Sequence, residues 1–138
     1  MKKNKIHITR LGIAFFLLLL LLGVSQAGQI QLLKSATSTG VGAAYDNRSS
    51  GFQTVTCDVV TSDNTTSAIK VRLEGNQDCG TKYSPTGMCE YPLTATEMVS
   101  YIGTFTCVGM PSGCLRANLV TLTGGTSPAV SVVCTGVK

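Results

Sequence analysis

The chain has 138 residues, 43% of them hydrophobic, only 6% aromatic and 13% charged, with a formal net charge of +4. It holds six cysteines, one histidine and no tryptophan. A chain of this length supports one domain with a modest core. The positive charge would suggest an anionic partner, but its placement along the chain excludes that reading.

Residues 1–10, "MKKNKIHITR", are basic, residues 11–24 are apolar, and "SQA" follows with small Ser25 and Ala27. This is the pattern of a secretory signal peptide, with cleavage expected after Ala27. A spanning helix needs about 20 apolar residues, and this run is shorter. No cysteine follows the apolar core, which disfavours a bacterial lipid anchor. Cleavage would remove Lys2, Lys3, Lys5 and Arg10 and no acid, leaving seven basic and seven acidic residues in 28–138. A neutral domain lacks the clustered Lys and Arg that nucleic acid requires. After cleavage nothing is expected to hold it in a membrane. The protein is therefore expected to be secreted, either outside the cell or in the periplasm.

Residues 28–138 read as one domain. "GQIQLLK" (28–34) opens it with Ile30 and Leu32 on one strand face. Such a strand completes its own sheet or adds to the edge of a neighbour, and the intramolecular pairing is the expectation. Beyond it, Val55, Cys57 and Val59 alternate, as do Ile69, Val71 and Leu73 opposite Lys70, Arg72 and Glu74. Phe105 and Cys107, then Leu115, Ala117 and Leu119, then Val130, Val132 and Cys134 continue the period of two. Shorter candidates lie at 41–45 and 91–93. Turn-rich clusters such as "DNRSSG", "SDNTTS" and "GGTSP" separate the runs. "TATEMVSYI" fits either one helical turn, with Thr94 and Glu97 at capping-box spacing, or a strand entry. About eight short strands with regular turns predict an all-β fold, a single antiparallel β-sandwich or jelly roll.

All six cysteines, Cys57, Cys79, Cys89, Cys107, Cys114 and Cys134, fall in this domain. An even count in an exported chain predicts three disulfides. If "CLRANLVTLTGGTSPAVSVVC" (114–134) is a hairpin centred on "GGT", keeping the apolar residues on one face sets Leu115 against Cys134 and Leu119 against Val130. Cys114 then faces away from Cys134, and Cys57 becomes the natural partner of Cys134 across the core. Sequence proximity favours Cys79–Cys89 and Cys107–Cys114 for the rest. A zinc site is disfavoured, because no CxxC pair occurs and no histidine remains.

Two stretches carry a resemblance. "IKVRLEGNQDCGTKY" resembles a "V-x-L-E-G-S-x-D-G-x-x-W" segment, and "CLRANLVTLTGGTSPAVSV" resembles "Y-I-R-A-N-L-T-S-L-T-G-G-T-S-P-x-V-T-V". Both are similar to small β-sandwich proteins of phages and environmental bacteria, usually regarded as structural or surface components. The resemblance spans about residues 50–137 and brings no catalytic motif. This chain departs from the pattern in its six cysteines, its export signal, and Tyr83 where the aromatic is usually Trp.

Without histidine, a Ser-His-Asp triad or Cys-His pair is excluded from the domain. Glu74 and Asp78 are the remaining carboxylate pair, though a strand-edge charge and a turn acid are the plainer reading. Asp46, Asp63 and Asp78 in loops are candidate calcium ligands without EF-hand spacing. Asn47 and Asn64 begin glycosylation sequons, usable only in a eukaryotic host. Tyr83 and Tyr91 with Asn76 and Gln77, supported by Tyr45, Tyr101 and Asn118, are a candidate sugar-binding set. No cofactor is expected. The expectation is a secreted, non-enzymatic β-sandwich acting as a structural or surface-interaction module, with a protein or a glycan as partner. A carbohydrate-binding domain is the alternative.

Overall fold

The computed structural model describes residues 28–84 and 89–138. The expected signal segment, residues 1–27, lies outside the described residues, as do residues 85–88. The described chain is an antiparallel β-sandwich. One sheet holds β1 (Gly28–Ala36), β9 (Val130–Val137), β4 (Thr54–Thr61) and β7 (Ile102–Val108), in that order. The other runs β2 (Gly40–Val41), β8 (Cys114–Gly124), β5 (Thr66–Asn76) and β6 (Cys89–Pro92), with β3 (Tyr45–Asp46) also on β8.

The period of two decides which side chains enter the core. Val55, Cys57 and Val59 of β4 meet Val130, Val132 and Cys134 of β9 on the inner face of the first sheet. Ile69, Val71 and Leu73 of β5 pair with inward residues of β8, among them Ala117 and Leu119, on the second. All belong to one buried cluster. Each buried Val, Leu or Ile contributes roughly 1.5–3 kcal/mol by leaving water.

β1 pairs with β9 of its own chain, so the opening strand completes its own sheet. Bulges after Gln31 and Leu33 break its alternation, and Leu32 and Leu33 are both buried. At the start of this pair Gly28 lies opposite Gly136. The Phe52 ring fills the space above both. A Cβ on Gly136 would stand 2.2 Å from that ring, so only glycine fits there. "TATEMVSYI" forms the one short helix among the described residues, α1 (Ala95–Val99). Its capping box is complete: the Glu97 amide donates to Thr94 Oγ1, and the Thr94 amide donates to a Glu97 carboxylate oxygen. Met98 anchors the helix in the core.

The structure corrects the hairpin expected over residues 114–134. β8 and β9 lie in opposite sheets, and the segment between them crosses from one layer to the other. Leu115, Ala117, Leu119, Val130, Val132 and Cys134 do all face the core, but they face it from both sides. Alternation reports which face is buried, and a residue beside or across the core satisfies it equally.

The disulfides follow the same lesson. Cys57 bonds Cys134, as expected, yet not across the core. The two are direct cross-strand neighbours on β4 and β9, with Cα atoms 4.0 Å apart. The expected Cys79–Cys89 and Cys107–Cys114 pairs are replaced by Cys79–Cys114 and Cys89–Cys107. Cys114 sits opposite Asn76, so the chain leaving β5 brings Cys79 back onto it. Cys89–Cys107 joins β6 to β7, the edge strands of the two sheets, and closes that side of the sandwich. No helix among the described residues is long and apolar enough to cross a membrane.

Candidate functional site

The two stretches that carry the resemblance meet on the outer face of the second sheet. In the β5–β8 register Leu73 opposes Ala117 and Glu74 opposes Arg116. The first pair points inward, so the second points outward. Arg116 grips one Glu74 oxygen through Nε and Nη2, each at 2.7 Å. Asn118 Nδ2 donates to the other oxygen at 2.8 Å.

Although it lies on an outer face, Glu74 is only 3% exposed. The loop after β5 contributes to its cover, with the Tyr83 ring 3.8 Å from the Arg116 guanidinium carbon. Such stacking stabilises by roughly 0.5–2 kcal/mol. Asn76 shapes the loop by donating to the Lys82 carbonyl and accepting from the Asp78 amide. The Cys79–Cys114 bond ties it to the start of β8. Gly113 permits this approach, since a Cβ there would lie 2.1 Å from the Asn76 carbonyl oxygen.

The buried carboxylate thus has both oxygens filled by cationic or amide donors. Of the carboxylate pair expected from the sequence, Glu74 is taken up by Arg116 and Asn118, while Asp78 is exposed. Glu74→Gln is expected to cost about 2 kcal/mol, because it faces Arg116 with a neutral amide. Urea unfolding measures it. A neutral or stabilised variant would instead mark Glu74 as an acid held at the expense of stability.

The expected sugar-binding set is divided between faces. Asn76, Gln77 and Tyr83 share the loop over the outer face. Tyr91 pairs with inward-facing Val71 and stacks on Phe105 at 4.8 Å between centroids. Its hydroxyl donates to Glu97, which pushes the phenol up to about 12 and holds the Glu97 carboxyl below its ordinary value. Tyr91 is therefore a core-edge residue that braces α1. Tyr101 is exposed beyond the helix. Tyr45 donates or accepts at Ser50 and lines an open cleft of about 560 Å³ with Gln29, Phe52 and Lys138. Sequence reasoning had no signal for that cleft, because it is assembled from β1, β3 and the chain end.

Two of the candidate calcium acids, Asp63 and Asp46, are engaged by donors, and Asp78 is exposed in the loop after β5. Asp63 accepts from the Thr65, Thr126 and Ser127 amides and clamps the "GGTSP" crossing. The Thr65 hydroxyl and these amides hold its carboxyl well below the usual range. Arg48 holds Asp46 at about 2. Asp46 also lies within ligand distance of the Cys79 and Cys114 sulfurs, but a disulfide has no thiolate to offer a metal. Asn47 is fully buried, while Asn64 is exposed in the β4–β5 turn.

No protein-family model matches the chain, and no curated protein matches it. The fold is similar to the crystal structure of the SPBc2 prophage-derived protein YomS, with a TM-score of 0.59. The alignment covers 85% of this chain and 97% of that one at 13% identity, so the likeness is one of fold.

Proposed function

We propose that this chain is an exported, non-enzymatic β-sandwich with a structural or surface-interaction role. The observation that supports it most is the state of its acids. Glu74, Glu97 and Asp63 each hold the scaffold together through donors of their own chain, and Asp46 is paired with Arg48. Three disulfides fit an oxidising compartment, and the signal-like leader provides the route there. A fold shared with a prophage-derived protein is compatible with a building-block role. The cleft at Tyr45 favours a second reading, glycan binding, because it sets an aromatic ring beside amide and hydroxyl groups.

The test is expression of the full chain in a secreting bacterium. The exported form should begin at Gly28, contain no free thiol, and turn over nothing on a glycoside and ester panel. Cytoplasmic retention with free thiols sinks the export reading. Turnover abolished by Asp78→Asn sinks the non-enzymatic one, and glycan-array binding lost in Tyr45→Ala promotes the second.

A further inference from the structure

The two outer faces of the sandwich differ in kind. The second sheet presents Lys70, Arg72, Glu74, Glu90 and Arg116. On β9, β4 and β7, the first sheet's outer face carries one charge, Asp58, among twelve positions. The cross-strand register sets these in four rows of three. Ser131, Val60 and Ile102 form the first, and Val133, Asp58 and Thr104 the second. Thr135, Thr56 and Thr106 form the third, and Val137, Thr54 and Val108 the last. Four of the chain's exposed large hydrophobics sit in the outer two rows: Val60 (39%), Ile102 (44%), Val108 (74%) and Val137 (45%). No described residue covers them. α1 lies at the side, against β7 and β5.

The geometry points to a second copy of this chain as the occupant of that face. A two-fold axis in the plane of the face, perpendicular to the strands and between the middle rows, superposes the rows on one another. Ile102 then meets Val108 of the other copy, Val60 meets the Thr54 methyl, and Ser131 meets Val137. Asp58 meets Thr56 and not a second Asp58. Within its own chain Asp58 accepts from Thr104 at 2.7 Å, and the facing hydroxyl supplies a further donor. Thr56 and Thr106 already share a 2.9 Å hydrogen bond, so two of the three hydroxyls in that row enter the contact partnered.

The pattern is self-complementary, which is what an isologous dimer requires. Two sheets stacked face to face pack about 10 Å apart, aligned to within about 30°. Three strands of about eight residues offer roughly 400 Å² per copy, hence about 800 Å² in all, the size of a weak, transient interface. The dimer is therefore concentration-dependent. This inference deepens the surface-interaction reading by naming the partner, and its failure leaves export and absence of turnover to stand on their own tests.

Sedimentation equilibrium of the exported protein, from low micromolar to near-millimolar, tests it. A reversible monomer–dimer equilibrium is expected. Thr56→Asp sets carboxylates opposite one another and should weaken dimerisation more than about tenfold, without lowering the melting temperature of the dilute monomer. A Thr54→Cys, Val60→Cys double variant provides the register test. The two sites lie about 20 Å apart within one chain, but face each other across the axis at the sheet spacing of about 10 Å, too far for a direct disulfide and within reach of a short bis-maleimide. That reagent should give a covalent dimer on a denaturing gel. A strict monomer, a dimer indifferent to Thr56→Asp, or no crosslink overturns the proposal.

Discussion

Replacing both Cys57 and Cys134 with alanine should lower unfolding free energy by about 4–5 kcal/mol, the largest single effect expected in this protein. The bridge spans 77 positions, so cutting it restores great freedom to the unfolded chain. Both residues are fully buried, and the missing sulfurs also leave a void between Val55, Val59, Val130 and Val132. The remaining bridges span 35 and 18 positions and constrain less of the chain. Guanidinium unfolding of oxidised wild type and variant measures the difference. A loss under about 1 kcal/mol would mean that the unfolded chain is already held compact without this bond.

Asn47→Ala should cost about 3 kcal/mol, because one side chain is the hub of a buried junction. Its Nδ2 donates to the Phe52 and Pro111 carbonyls, and its Oδ1 accepts from the Phe52 amide, all at 2.9 Å. Alanine strands two acceptors and a donor away from water. The same contacts fix the Phe52 ring over Gly28 and Gly136 and hold the turn before β4 to the loop before β8. Asn47→Asp is the sharper variant, since a carboxylate there faces two carbonyl oxygens. Its folded-state pKa should be raised, so its stability should be best below the ordinary carboxyl value near 4 and fall as pH rises. Thermal melts from acid to neutral pH read this directly. A pH-independent melt for Asn47→Asp would show that water reaches the junction.

Strand identity and facing were legible because period-two alternation is a local property. Val55, Cys57, Val59 and Val130, Val132, Cys134 could be placed inward from their neighbours alone. Which strand lies beside which is not local. β8 pairs with β5 across 42 positions at the Glu74–Arg116 contact, and nothing within either run states that register. The short-loop disulfides mislead for the same reason, since it is the pairing of β5 with β8 that sets Cys79 beside Cys114. From sequence, Tyr91 groups with Tyr83 because both are tyrosines in a polar stretch. Their opposite faces follow from the pairing of β6 with β5. The Thr94–Glu97 capping box was readable because its chemistry is complete within four residues. The resemblance did select both halves of the Glu74–Arg116–Asn118 cluster, though not that they touch.

The pairing of Gly28 with Gly136 gives the sandwich a mechanical character. Both ends of the described chain leave from one corner of one sheet, on adjacent antiparallel strands. A force applied between them loads the β1–β9 ladder one rung at a time, the unzipping geometry, and not all rungs in shear. β1 therefore yields first and at low force. The peeling then meets β9, which is bolted to β4 by Cys57–Cys134 two residues inward of the glycine pair. Under tension the chain extends from Gly28 as far as Cys57, releasing β1 and then the two-residue β2 and β3, and stops there, with Val59, Leu73 and Leu119 still packed behind the bolt.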